Sequence, residues 1–202
     1  MMFDLITIFF VGSTLLFAGY TALKFLGKFP KRTIEDVAPF LRPGEADEFE
    51  ALLDPALEVN FRLRLSPSEF RGWQRKRFHL MREYLLRMSH NALVLIEWGN
   101  MEAAEQEARD SIPCRQRELL ARELVQAATE FRLYSFLALI KIRFWLVLPS
   151  SLSPLVSPPS LTRLRHLFGI NPVASYARLK NAAGVLGELY NLDFQHDLLA
   201  RL

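Results

Sequence analysis

Residues 66–100 read SPSEFRGWQRKRFHLMREYLLRMSHNALVLIEWGN, and this stretch decides the fold class. Ser66 can cap a helix, Pro67 suits the first helical position, and Glu69 completes a capping box. Large apolar side chains then recur at intervals of three, four and seven residues, which predicts one long helix to about Asp110. These side chains are Phe70, Trp73, Met81, Tyr84, Met88, Leu95 and Trp98.

A second long helix is predicted to begin at Ser111-Ile112-Pro113 and to run to Leu148. Gly99-Asn100 is a point at which the first helix can be interrupted. Two long helices joined by a short break predict an antiparallel hairpin over residues 66–149. The apolar stripe of the second helix consists of Leu120, Leu124, Ala127, Phe131, Tyr134 and Leu137.

Residues 33–65 predict short elements and an extended acidic segment. Thr33 can start a helix that Pro39 and Pro43 end early, and a second short helix is expected over 46–53. From Leu57 to Leu65, apolar and polar residues alternate, which is a strand signal. Because no second strand is available for pairing, an extended segment on a helical surface is the alternative.

Residues 150–160 read SSLSPLVSPPS and predict a linker, since serine and proline at this density cannot continue a helix. The C-terminal segment, residues 161–202, is expected to be helical. A short helix covers 161–168, and Asn171-Pro172 begins a longer helix that ends near Tyr190.

Residues 5–23 read LITIFFVGSTLLFAGYTAL and contain no charge. At 1.5 Å per residue this segment spans about 28 Å, close to the hydrocarbon thickness of a bilayer. A cleaved signal peptide would begin with basic residues, whereas this chain begins Met-Met-Phe-Asp, and a buried core helix seldom stays apolar on every side. The predicted fold class is therefore all-α, with one N-terminal transmembrane helix followed by a helical domain built on the hairpin.

The charges around this segment predict its orientation. Lys24, Lys28, Lys31 and Arg32 follow it, and only Asp4 precedes it. By the positive-inside rule, residues 1–32 are a single-pass anchor in the inner or plasma membrane, with the C-terminal body in the cytoplasm.

Composition excludes several classes of protein. The chain has 202 residues, of which 50% are hydrophobic and 23% are charged, so it is neither a disordered chain nor a polytopic membrane protein. Its only cysteine is Cys114, which excludes an intrachain disulfide and a zinc site built on several thiolates. The formal net charge of +3 does not by itself imply nucleic acid. No phosphate loop, nucleophile elbow or dinucleotide fingerprint is found.

Residues 131–148, FRLYSFLALIKIRFWLVL, have three interpretations. They can form the core helix of the bundle, a helix on the membrane surface, or a second span, which the three cations in the segment make costly. On a membrane surface, Lys141 and Arg143 would reach lipid phosphates while Phe144 and Trp145 lie in the interface.

Charge is arranged in blocks along the chain. Carboxylates dominate between Glu35 and Glu58, and cations dominate between Arg62 and Arg87. The blocks can pair with each other or face solvent, or the second block can bind anionic lipid or an acidic partner. Nucleic acid is an unlikely partner because no known binding motif accompanies the cations. The candidate surface residues of this block are Arg71, Arg75, Lys76, Arg77 and Arg82.

His79, Glu83, His90 and Glu97 fall within about 40° of one another around the first long helix. They are the metal-binding candidates if a facing helix supplies a further carboxylate, although chance alignment on a helix is commoner. No cofactor is expected.

The leading functional hypothesis is a non-enzymatic, membrane-anchored helical interaction or scaffold protein, such as an accessory subunit of a membrane complex. Its expected partners are the bilayer and a protein or a second copy of the chain. The alternatives are a lipid-binding or membrane-shaping module, and a membrane-associated enzyme that uses the His/Glu set.

Overall fold

The computed structural model describes residues 37–43, 46–107, 112–147, 164 and 171–202. The described residues belong to one compact unit, Lys31–Leu202. The predicted anchor over 1–32, the helix start at Thr33, the linker over 150–160 and the short helix over 161–168 (apart from Leu164) lie outside the described residues. Among the helices that are described, none is both long enough and apolar enough to cross a membrane.

The described part of the chain is all-α, as predicted, and contains no strand. A 3₁₀ turn at Ala38–Phe40 precedes six helices. These are α1 (Ala46–Leu52), α2 (Pro55–Arg64), α3 (Pro67–Glu107), α4 (Ile112–Val147), α5 (Pro172–Glu188) and α6 (Leu192–Arg201).

The predicted capping box starts α3. The backbone N–H of Ser66 donates to Glu69 Oε2 at 3.0 Å, and the backbone N–H of Glu69 donates to Ser66 Oγ at 3.4 Å. Hydrogen bonds from the Ser66 side chain and backbone lower the pKa of the Glu69 carboxyl. The helix then continues for 41 residues, about 60 Å, and passes through Gly99-Asn100 without interruption.

The two long helices form the predicted antiparallel hairpin. Phe78 near the start of α3 contacts Trp145 near the end of α4, with 5.0 Å between the ring centroids. Near the other end, Gly99 lies against Ala121 and Val125. A Cβ at position 99 would be 2.8 Å from Val125 Cγ2 and 3.1 Å from the Ala121 carbonyl oxygen, so the helices approach closely where α3 carries a glycine.

A third helix, α5, packs on α4 and closes the core. It begins as predicted, with Asn171 Oδ1 accepting from Val173 N at 3.1 Å and Pro172 in the first turn. The ring centroids of Tyr176 and Phe131 are 5.0 Å apart. Small residues along α5 allow α6 to pack closely against α5. The largest fully buried side chains are Trp98, Tyr134, Tyr176, Phe49, Phe78 and Phe131.

The predicted strand or extended segment over 57–65 is wrong, because residues 57–64 belong to α2 and Leu65 is its C-terminal cap. Asp54 accepts a hydrogen bond from Ala56 N at 2.9 Å, and Pro55 occupies the first turn, so the Asp-Pro pair starts a helix. None of the α2 residues is buried. Because α2 has no buried face, packing does not require its apolar residues to recur at helical spacing. Apolar and polar residues can therefore alternate in a helix of this kind.

Residues 37–43, which we call the strap, are held against the bundle. Asn91 Oδ1 accepts from Arg42 N at 2.8 Å, and Asn91 Nδ2 donates to Arg42 O at 2.7 Å. Val37 and Leu41 are buried. The strap is therefore part of the packed bundle and not a free connection.

Candidate functional site

The four metal-binding candidates are not brought together. At 1.5 Å per residue, His79 and Glu97 lie about 27 Å apart along α3, too far for one ion. His79 and Glu83 are exposed, whereas His90 Nε2 lies 3.1 Å from the Phe40 carbonyl oxygen of the strap. Within the described residues, no group of three His, Cys, Asp or Glu side chains is placed to hold a metal ion.

Glu97, the last of these candidates, is buried. Burial lowers the pKa of Arg132 on α4, and the nearby charge of Glu97 opposes that shift. Of the carboxylates on the facing helix, Glu123 is exposed and Glu130 forms a 3.1 Å ion pair with Arg178 of α5. Glu97, Glu123 and Glu130 therefore lie in different surroundings and do not form one metal site.

Arg77 was predicted at a partner or lipid surface, but only 4% of it is exposed. Its Nε donates to Leu52 O and its Nη2 to Asp54 O, both at 2.8 Å. Since Leu52 ends α1, its carbonyl lies at the negative end of that helix, whereas Asp54 is the cap residue at which α2 begins. Burial lowers the pKa of Arg77, while Glu58 and Asp54 oppose this. The buried Arg77 side chain thus links α3 to the backbone of the acidic segment.

The other cations of this block remain accessible to different extents. Arg71 and Lys76 are exposed, and Arg75 and Arg82 are half-buried. They occupy the first half of α3, on the part that α1 and α2 pack against. Phe61 of α2 stacks on Trp73 with 4.5 Å between the centroids, so the exposed Arg62 and Arg64 of α2 lie beside the same part of α3.

Trp145 was predicted to lie in a membrane interface, but it is 3% exposed and packs on Phe78. Its neighbours Lys141, Arg143 and Phe144 are exposed. The segment over 131–147 therefore packs into the core on one side and is exposed on the other. The side chains facing the core are Phe131, Tyr134, Ala138, Ile142 and Trp145.

The hairpin brings two separately predicted surfaces to one end of the bundle. Since Phe78 contacts Trp145, the cations of early α3 and those of late α4 lie at the same end. Exposed apolar side chains are interspersed with these cations. We call this region the basic end; Glu69 is an exposed carboxylate within it, and its exposed cationic and apolar members are Leu57, Val59, Arg62, Leu63, Arg64, Arg71, Lys76, Leu80, Ile140, Lys141, Arg143, Phe144 and Val147.

The opposite end of the bundle has the reverse charge balance. Arg117 Nη2 donates to Leu189 O at 3.1 Å, which places the start of α4 beside the junction of α5 and α6. Among the described residues at this end, carboxylates outnumber cations. The carboxylates are Glu102, Glu105, Glu118, Glu123, Glu188 and Asp193, and the cations are Arg115, Arg117 and Arg122.

The opposite end also contains a polar cluster that the sequence did not indicate. Glu102 is buried, and its Oε1 accepts hydrogen bonds from Trp98 Nε1 at 3.1 Å and from the Tyr190 hydroxyl. Burial, followed by the bond to Glu102, raises the pKa of Tyr190. The guanidinium of Arg117 lies 5.1 Å from the Tyr190 ring centroid. Only the spacing of Trp98 and Glu102 was visible in the sequence; Tyr190 is 88 residues away from Glu102.

Comparison with known proteins gives no family for this chain. No protein-family model matches it, and neither the curated proteins nor the solved structures contain a significant match. Its function therefore has to be inferred from the residues and their geometry.

Proposed function

We propose that this chain is a single-pass, membrane-anchored scaffold protein, not an enzyme, whose helical body holds a protein partner at the inner or plasma membrane. The observation that carries the proposal is the uncharged stretch over 5–23, which has the length of a membrane span and is followed by lysines and an arginine. The exposed apolar side chains of the body support a role in binding, because isolated soluble domains gain nothing from displaying them in clusters.

The docking of the strap also supports a scaffold. Here the residues that lead into the body are bonded through Asn91 to α3, and the Leu41 side chain is buried. The first residues after position 36 are thus fixed to the bundle that would present the partner surface.

Extraction with alkaline carbonate tests the anchor. The full chain should stay in the membrane pellet, and Leu15→Arg with Phe17→Arg should release it, since each arginine near the centre of a span costs about 2.5–3.5 kcal/mol. Leu119→Arg is the matched control, because Leu119 is an exposed leucine of the body. Release of the unaltered chain by carbonate would contradict the proposed anchor.

Purification in mild detergent tests the scaffold role. The full chain is expected to co-elute with a protein partner or a second copy at constant stoichiometry. A chain that always elutes as a lone monomer would contradict that role while leaving the anchor intact.

Labelling with an impermeant maleimide tests the orientation of the body. Leu119→Cys in a Cys114→Ser background should react with this reagent only after the membrane is opened.

A further inference from the structure

We infer that the basic end is a lipid-binding surface that lies on an anionic leaflet, with the outer face of late α4 inserted among the headgroups. This inference rests on the proposed membrane location and adds to it a specific contact between the folded body and lipid. Its basis is an apolar stripe on α4, the cations that flank this stripe, and the cations that α2 and α3 bring to the same end.

The apolar stripe lies on the side of α4 that faces away from the core. At 100° per residue, Leu133, Ile140, Phe144 and Val147 fall within an arc of about 60°, and all four are exposed. The residues that face the core, including Ile142 and Trp145, alternate with them along the helix. An exposed apolar stripe bordered by cations can enter the headgroup region of a membrane, as the apolar face of an interfacial helix does.

Lys141 and Arg143 border this stripe on its two sides. They lie roughly 70–90° from the centre of the arc, one in each direction around the helix. Both are exposed, and neither forms an ion pair with another residue in the described part of the chain. Long cationic side chains in this position can extend to phosphate groups while their methylene groups follow the apolar stripe.

The remaining cations of the basic end extend the same charge over α2 and α3. Arg62, Arg64, Arg71 and Lys76 are exposed there, and Leu63, which is 81% exposed, stands among them. The acidic helix α1 packs against α3 and α5, where its Glu48 accepts from the Tyr84 hydroxyl. A cluster of cations beside apolar side chains is complementary to anionic headgroups above acyl chains.

A lipid surface fits this end better than a second copy of the chain. In a symmetric dimer whose two-fold axis passes near residues 141–143, Lys141 and Arg143 of the two copies would lie close to one another. That arrangement would bring like charges together around an apolar contact. An anionic leaflet instead offers negative charge on both sides of an inserted helix.

Quenching by brominated lipid tests the inference on the full chain in vesicles. In a Cys114→Ser background, an environment-sensitive fluorophore is attached either at Phe144→Cys or at Leu119→Cys. Phe144 is 68% and Leu119 69% exposed, and both are on α4, about 37 Å apart along its axis. In vesicles containing phosphatidylglycerol, we expect a blue shift and loss of emission by bromine quenching at position 144 and neither change at position 119.

Charge reversal separates lipid binding from other contacts. Lys141→Glu with Arg143→Glu should abolish quenching at position 144, whereas Arg115→Glu with Arg122→Glu, at the opposite end of α4, should leave it unchanged. High salt should also reduce quenching in the unaltered chain, since it screens exposed charges. Vesicles of purely zwitterionic lipid should give a much weaker signal.

Three outcomes would overturn the inference. Equal quenching at positions 119 and 144 would show no preference for the basic end. Absence of quenching at position 144 in a chain that resists carbonate would remove the lipid surface and leave the proposed anchor standing. A blue shift without bromine quenching would mean that a protein, such as a second copy, covers the stripe.

Discussion

Asn91 shows how one buried side chain joins three parts of the fold. It exchanges two hydrogen bonds with the backbone of Arg42, and its Nδ2 lies 3.4 Å from the Tyr176 hydroxyl of α5. An amide can satisfy a backbone N–H and a backbone carbonyl at once, and no apolar residue of similar size can. The strap is thus fixed to the middle of the hairpin by a side chain that belongs to neither the basic end nor the polar cluster.

Replacing this amide should destabilise the body. Asn91→Ala leaves the backbone N–H and carbonyl of Arg42 without their partner, and we expect a loss of about 1–3 kcal/mol in the free energy of unfolding. Asn100→Ala is the matched control, because Asn100 is exposed on the same helix. Urea unfolding followed by tryptophan fluorescence measures both. Equal stabilities for the two variants would mean that the strap does not depend on this contact.

At the scale of single elements, the two glycines of α3 differ in their surroundings. Gly99 lies where α3 and α4 come closest, and an added Cβ would meet Val125 and the Ala121 backbone. Gly72 is exposed, and nothing lies within 4 Å of a Cβ placed there. Both positions are helical, so alanine improves the intrinsic helix propensity at each of them by roughly 1 kcal/mol.

The two substitutions should therefore have opposite effects. Gly72→Ala is expected to raise the free energy of unfolding by up to about 1 kcal/mol. Gly99→Ala is expected to lower it by about 1 kcal/mol, because overpacking by about 1–3 kcal/mol exceeds the gain in propensity. Thermal unfolding of both variants under one set of conditions measures the difference. Stabilisation by Gly99→Ala would show that α3 and α4 can separate at this point without cost.

The helix starts were predictable because capping is local. Ser66 with Glu69, and Asn171 with Pro172, contain within a few residues everything that satisfies the first free N–H groups. The same chemistry at Asp54-Pro55 starts α2, but the alternation of apolar and polar residues that follows favours a strand. A helix with no buried residue offers no periodic apolar signal that would have corrected this interpretation.

The positions of individual side chains across the whole molecule were less predictable. The run of cations around Arg77 predicts an exposed side chain, and only the packing of α1 and α2 onto α3 shows that Arg77 is buried. The burial of Trp145 likewise depends on a distant residue, Phe78. The bond between Glu102 and Tyr190 joins helices that no local pattern connects. The sequence predicts the two long helices of the hairpin and the start of α5, but not α2, the separate helix α6 or the partners of the buried polar groups, which follow from the tertiary fold.

The stability of the whole bundle should fall in alkaline solution because of its buried tyrosines. Burial raises the pKa of Tyr176 from 10.0 to about 12, and burial also raises the pKa of Tyr134 and of Tyr190. The unfolded chain loses these protons near pH 10 while the folded chain retains them. Because the folded state then binds more protons, the free energy of unfolding decreases as pH rises above that value.

Each such tyrosine contributes a slope of up to about 1.4 kcal/mol per pH unit. Tyr176→Phe removes one of these contributions, so its cost relative to the unaltered chain should be constant below pH 10 and should shrink between pH 10 and about 12. Urea unfolding of both proteins at matched pH values measures this difference, and the titration of all other groups cancels. A cost that stayed constant across the alkaline range would mean that the Tyr176 hydroxyl ionises as readily in the folded chain as in the unfolded one. The core around Phe131 and Asn91 would then be open to water, contrary to the packing of α5 on the hairpin.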